Sequence, residues 1–311
     1  MAPQHLLFAL VIDLVWGLNF VAARIGVTEI PPLLLLTLRF GLTAALLFPF
    51  IRWKRGQMRN IFLVGFFAGI VQFGLFFVGT ALSTASVAAT LSQLQLPIAT
   101  LLSIILLNEQ VGWRRWTGIG FALIGTAVLG FDPIILHYWI GALLVIGACF
   151  STALAQIIMR RMRHVGVFEL QGWIAAITTP GVLLLSFLFE RHEWHKLPEA
   201  PLHLWGIIAY ITLLANIFGQ GGMFFLLKRY DVSLVVTLTI LAQVFGIIFG
   251  VVLLHEPMTW RTALGAALIC VGVIIIAARL GRLRAQGLTL AEPEGVIIEA
   301  PLKSEPQGSK D

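Results

Sequence analysis

The chain has 311 residues, of which 59% are apolar and only 12% charged, against roughly 45–50% and about 25% in a soluble globular domain. That leaves too little polar surface to cover a core of this size in water, so an ordinary soluble domain is excluded and a bilayer must solvate the outer face. The net charge of +6 sits in short clusters between apolar runs, which reads as membrane topology and not as a nucleic-acid footprint.

Met1 to His5 carries no Lys or Arg, so no signal-peptide n-region is expected and the first apolar run reads as a retained helix. Ten such runs are predicted, at about 6–27, 33–51, 61–81, 86–107, 114–131, 139–160, 168–189, 202–227, 232–254 and 260–280. Most are close to the ~20 residues that a spanning helix needs. Pro31-Pro32, Asp132-Pro133, Pro198, Pro201 and Pro257 all fall between runs, as helix breakers should. Beyond the last run, residues 285–311 turn polar and read as a disordered cytoplasmic tail.

With the N-terminus inside and ten crossings, the inner side receives fourteen Lys and Arg residues and the outer loops only Arg191, Lys196 and Arg261. This is the cytoplasmic excess expected of a membrane protein, and it puts both termini in the cytoplasm. An internal repeat supports the same count. Leu106-Leu107, Glu109, Trp113, Arg114, Gly118 and Gly125 match Leu253-Leu254, Glu256, Trp260, Arg261, Gly265 and Gly272 at a constant offset of 147. The expected architecture is an all-α membrane protein of ten transmembrane helices in two five-helix repeats, 6–131 and 139–280. Five helices per half would place the two copies in opposite orientations, a transporter signature with the substrate site between them.

No Walker A loop, nucleophile elbow or zinc motif is present, and the seven histidines lie in or beside predicted loops. Cys149 and Cys270 read as small packing residues. No cofactor is expected. The informative groups are polar residues inside apolar runs, which face a bundle interior or a wet cavity. In the first helix Asp13, Trp16, Gly17 and Phe20 share one face, and Arg24 returns to it three turns on from Asp13. Asp13, Arg24 and Arg39 are the candidate coupling or gating residues; against this, Asp13 lies shallow, and Arg24 could snorkel to the outer interface. Asn19 joins the same helix.

Arg39 lies about two turns into the second helix and stays charged. A substrate carboxylate and Glu29 are the two anionic partners the sequence offers it. Gln93, Gln95, Ser92, Thr100 and Ser103 make the fourth helix unusually polar, and Pro97 is expected to kink it. Gln72, Asn216, Gln220 and Gln243 are further candidate partners for a polar substrate. Trp113 and Trp260 read as interfacial anchors, and Glu109 and Glu256 as loop and gate structure.

Trp16-Gly17-Leu18-Asn19-Phe20, Pro31-Pro32-Leu33, Leu38-Arg39-Phe40 and the duplicated Glu109 and Glu256 signals resemble the EamA-type drug/metabolite transporters, over about residues 6–280. Within that family the resemblance runs toward exporters of cysteine, O-acetylserine and amino acids. It implies secondary export across a bacterial inner membrane, with a central cavity among helices 1, 3, 4, 6, 8 and 9. Two departures stand out. Asn108 and His255 occupy positions where the family often has Gly, and Cys149-Phe150-Ser151 stands where helix six usually carries Trp.

The expected activity is alternating-access export of small metabolites, amino acids or their derivatives first, with protons as a candidate coupling ion. Trp16 and Phe20 would pack the substrate side chain, and Asn19, Gln93, Gln95 and Gln243 would bond its polar ends. The partners are then a small-molecule substrate and membrane lipid. Drug-like cations, sugar derivatives and nucleotide precursors are alternative cargoes; an intramembrane enzyme and a receptor are the alternatives from other classes.

Overall fold

The computed structural model describes residues 3–107, 112–131, 137–159, 162, 165–198, 200–227, 229–230 and 238–285. Among these, every regular element is helical. Glu109, Asn108, Thr237 and residues 286–311 of the tail lie outside the described residues.

In chain order the helices are α1 (Pro3–Glu29), α2 (Pro32–Leu47), α3 (Met58–Val64), α4 (Gln72–Ala81), α5 (Ala85–Ser92) and α6 (Gln95–Leu107). They continue as α7 (Trp113–Gly130), α8 (Trp139–Met159), α9 (Val167–Phe189), α10 (Leu202–Ala209), α11 (Gly219–Leu227), α12 (Ile240–Leu254) and α13 (Trp260–Ala285). A π-helical segment, Gly65–Val71, joins α3 to α4, and a second, Tyr210–Phe218, joins α10 to α11. Among the described residues, seven helical stretches are long and apolar enough to cross a membrane: Pro3–Glu29, Pro32–Phe50, Met58–Ala81, Ala85–Leu106, Trp139–Met159, Val167–Phe189 and Leu202–Met223. Shorter apolar helices occupy Trp116–Val128, Leu241–Leu254 and Trp260–Ile275.

The fourth predicted helix is interrupted, not merely kinked. Gln93 and Leu94 form a turn between α5 and α6. Pro97 accounts for it: the proline has no N–H to bond the carbonyl of Gln93 four residues back, and its ring crowds that carbonyl. The Gln93 and Leu94 amides bond to Thr90 and Leu91 instead, at 3.3 and 3.0 Å. A turn at Thr239 precedes α12 at nearly the corresponding place in the second repeat, with Val244 where Pro97 would align.

Hydroxyls inside the apolar helices are mostly absorbed by their own backbone. Thr43, Thr80, Thr90, Ser92, Thr100 and Thr179 each donate to the carbonyl four residues back, at 2.6 to 2.9 Å.

Close packing follows the glycines that the repeat duplicates. A Cβ at Gly125 would lie 2.7 Å from the Gly265 carbonyl, and one at Gly272 only 2.5 Å from that of Gly118. The pairing is reciprocal and antiparallel: the later glycine of each motif meets the earlier glycine of the other. Trp113 and Trp260 are both strongly exposed at the first residue of α7 and α13. Exposed Phe48, Leu184, Leu202 and Val252 leave an outer surface suited to hydrocarbon.

Candidate functional site

The predicted face of α1 is an internal one. Asp13, Gly17 and Phe20 are buried and Trp16 is half-buried. Gly17 admits α12: a Cβ there would sit 2.5 Å from Cβ of Phe245. Trp16 turns toward the second π-helical segment and donates its indole Nε1–H to the Ala215 carbonyl at 2.8 Å. Gly219 makes room for that ring, since any side chain at 219 would collide with it. Tyr210 bonds back to the Val15 carbonyl at 2.7 Å.

A similar bond is made at the first π-helical segment, where Ser151 of α8 donates to the Phe67 carbonyl at 2.7 Å. In both places a side chain reaches across to a segment whose widened turns disturb the regular backbone ladder. Ser151 was read only as part of a missing Trp; its bonding role has no signal in the local sequence.

Asp13 faces a small, largely apolar pocket lined by Ala9, Ile12, Met223, Leu226, Leu238 and Thr239. Its free volume of ≈ 10 Å³ is near the lower limit for holding one water. The Oδ2 atom of Asp13 is buried and has no hydrogen-bond partner. Asn19 is half-buried with Oδ1 likewise unpartnered.

The two arginines of the predicted site are used differently. Arg24 donates from Nη1 to the carbonyls of Thr80 and Ala81, both at 2.7 Å, and so closes the C-terminal end of α4. Arg39 is 5% exposed, with Nε and Nη1 unpartnered. Its guanidinium lies 4.7, 5.3 and 5.6 Å from the ring centres of Phe73, Phe40 and Phe77. The Glu29 pairing offered as one alternative for Arg39 is not what the structure shows: Glu29 bonds His203.

The amides divide. Asn216 donates to Thr43 Oγ1 at 3.2 Å, one turn along α2 from Arg39. Gln93 is buried at the α5–α6 interruption and donates to Cys270 Sγ at 2.9 Å. Cys149 packs against the same interruption, 3.5 Å from the Leu91 carbonyl. Gln72, Gln95 and Gln243 are half-buried on α4, α6 and α12, and Gln220 is exposed on α11. Phe20 is packed among Ala85, Ala88, Ala89 and Ile247 and also meets the Phe76 ring at 6.1 Å. The candidates therefore fall into three groups: Phe20 leads through the Phe76 and Phe77 rings to Arg39, Trp16 packs with the residues that line the Asp13 pocket, and Gln93 stands at the α5–α6 interruption.

Two carboxylates tie helix starts to distant helix ends. Glu256 accepts from the Ala85 and Ser86 amides at 2.6 and 2.8 Å. His255 takes the left-handed conformation, φ 53°, that aims Glu256 there. Histidine is strained in that conformation, which glycine adopts freely. Glu190 accepts from the Leu33 and Leu34 amides at 3.1 and 3.0 Å. Burial pushes the Glu190 carboxyl above its ordinary range, against the pull of these amides and the Ser186 hydroxyl. Glu190 was not foreseen; in the sequence it is only the first acid after an apolar run.

Among the described residues the body is all-helical, with several helices of membrane-spanning length and polar groups gathered inside it, which defines the class of a polytopic membrane protein. A solved crystal structure matches this fold with a TM-score of 0.61 over 91% of this chain and 100% of its own, at 22% identity. The EamA-like transporter family model matches twice, over residues 4–131 and 139–278. The chain belongs to the EamA-like transporter family. It is 30% identical over 277 residues to a Salmonella typhimurium protein named a probable amino-acid metabolite efflux pump, covering 86% of this chain and 92% of that one. It is 28% identical over 284 residues to the Escherichia coli protein of the same name, covering 88% and 95%. An Escherichia coli protein described as an uncharacterized inner membrane transporter is 23% identical over 276 residues, covering 87% and 89%.

Proposed function

We propose that the chain is a secondary exporter of small metabolites, amino acids or their derivatives first, in a bacterial inner membrane. It has ten transmembrane helices in two inverted halves, 6–131 and 139–280, with both termini in the cytoplasm. The observation that carries the inverted arrangement is the reciprocal, antiparallel contact of Gly118 and Gly125 with Gly272 and Gly265. Two copies of one motif related by a two-fold axis meet in this way, residue i to j and j to i. The paired interruptions support the same reading, at Gln93–Leu94 and Thr239 and at Gly65–Val71 and Tyr210–Phe218. Broken helices at matching positions mark substrate sites in transporters of this build.

The names of the two efflux-pump relatives support amino acids as cargo. In this reading the halves rock about a site walled by Trp16 and Phe20. Asn19, Gln72, Gln95, Asn216, Gln220 and Gln243 bond the polar ends of the substrate. Trp16, Phe20, Gln93 and Asn216 are engaged within the protein here, so their contact with cargo belongs to another state of the cycle. Asp13 is the coupling or gating acid, placed against the Thr239 turn.

Counterflow in proteoliposomes with a panel of labelled amino acids tests this, run with and without a pH gradient on wild type and Asp13→Asn. Saturable exchange of one amino-acid class, with gradient-driven accumulation only in wild type, is the expected result. No exchange of any amino acid would sink the cargo assignment. A second reading, efflux of organic cations, is favoured by the buried, unpartnered Oδ2 of Asp13, and cationic drugs in the same panel separate the two.

A further inference from the structure

A guanidinium removed from water is costly unless it is paired and hydrogen-bonded. Arg39 is such a group. It is nineteen-twentieths buried, two of its nitrogens lack partners, and it forms no ion pair among the described residues. The three phenylalanine rings supply a cation–π cage, which attracts the cation but accepts none of its N–H bonds. The acids nearest to it along the chain and at its helix start are engaged elsewhere. Glu29 bonds His203, and Glu190 holds the first amides of α2.

A second unsatisfied group stands level with it. α2 and the helix through Tyr210–Phe218 run side by side in the same direction. Leu204 and Ile208 pack in one cluster with Leu33, Leu35 and Leu36, and further along Asn216 bonds Thr43. About one turn back from that bond, this register sets Thr212 opposite Arg39. Thr212 is fully buried, and its hydroxyl has no partner, unlike most threonines of this fold. The cage is also continuous with the site: Phe77 meets Phe76 at 5.7 Å, and Phe76 meets Phe20 at 6.1 Å.

We infer that Arg39, with Thr212 beside it, is the subsite that receives the carboxylate of the transported molecule. The planar fork of Arg39 suits a carboxylate's two oxygens, and the Thr212 hydroxyl adds a third donor. The inference rests on the export reading and sharpens it: the carrier selects free acids over their amides and esters.

The test is competition of labelled-amino-acid counterflow by the free acid, its carboxamide and its methyl ester. It is run in wild type, Arg39→Lys, Arg39→Gln and Thr212→Val, with the melting temperature of each purified protein. Wild type should prefer the acid by about tenfold to hundredfold, the worth of charge-assisted bonds in a dry site. Arg39→Gln should lose that preference while melting no lower than wild type, and Thr212→Val should lose part of it. A wild type indifferent to amidation, or an Arg39→Gln that still prefers the acid, overturns the subsite.

If Arg39→Gln does not fold, Arg39→Lys and Thr212→Val decide by the same ratio. If wild type exchanges no amino acid, the cargo assignment fails. The subsite is then decided by melting shifts with amino and 2-oxo acids against their amides. A shift confined to acids and reduced in Thr212→Val upholds it, and equal shifts or none overturn it.

Discussion

Arg24 and Arg39 are the same side chain in two neighbouring helices, and the fold treats them in opposite ways. Arg24 spends its guanidinium on the Thr80 and Ala81 carbonyls, which a helix end leaves without partners. Arg39 is held by rings that cannot accept its hydrogen bonds. The contrast extends to the acids. Glu256 and Glu190 are each satisfied by two backbone amides, whereas Asp13 keeps a buried oxygen without a partner. Groups that close a helix end are structural. Under the proposed function, groups left open inside the bundle are the ones that bind cargo or a proton.

Removing a satisfied group should therefore cost stability, and removing an open one should cost transport. The largest loss is expected for Arg24→Met, which strands two carbonyls and should lower stability by about 2–4 kcal/mol, read as a fall in melting temperature. An unchanged melting temperature would erase the distinction between the arginines. Glu256→Ala should cost about 1–2 kcal/mol, the range for losing a helix cap, and should expose the start of α5 to faster amide exchange.

His255→Gly should raise stability by about 1 kcal/mol, because the left-handed backbone is strained for histidine and free for glycine; calorimetry would register it. Glu190 offers a pH test. Its carboxyl is raised in the folded state, so its protonated form contributes stability that is full below the ordinary value of 4.5 and is lost as pH rises through the folded value. Glu190→Gln should flatten that slope. Asn19→Ala completes the series at the other extreme, with unchanged melting and reduced counterflow at equal expression. Full flux would take Asn19 out of the site.

Much of the α1 wall was legible in the sequence, because a helical face follows directly from three- and four-residue spacing. The burial of Asp13, Gly17 and Phe20 agrees with that spacing. The polar fourth helix was legible as unusual, but its Thr90, Ser92, Thr100 and Ser103 hydroxyls bond their own backbone, and the Gln93 amide reaches Cys270 on another helix. Thr43 and Thr212 were overlooked because a threonine in an apolar run carries no sign of whether its hydroxyl is satisfied. The second π-helical segment was equally silent: Tyr210–Phe218 contains neither proline nor glycine.

The sequence by itself determined the class of protein and the positions of its apolar runs, since a bilayer demands long uncharged stretches whatever surrounds them. It also determined the duplicated motif, which is a matter of identity and spacing alone. Only the tertiary structure decided which arginine is bonded, which carboxylate closes which helix, and where α1 meets the widened turn at Ala215. Those outcomes depend on atoms as much as 199 residues apart in the chain. A buried polar group's role is fixed by whether a partner arrives within about 3 Å.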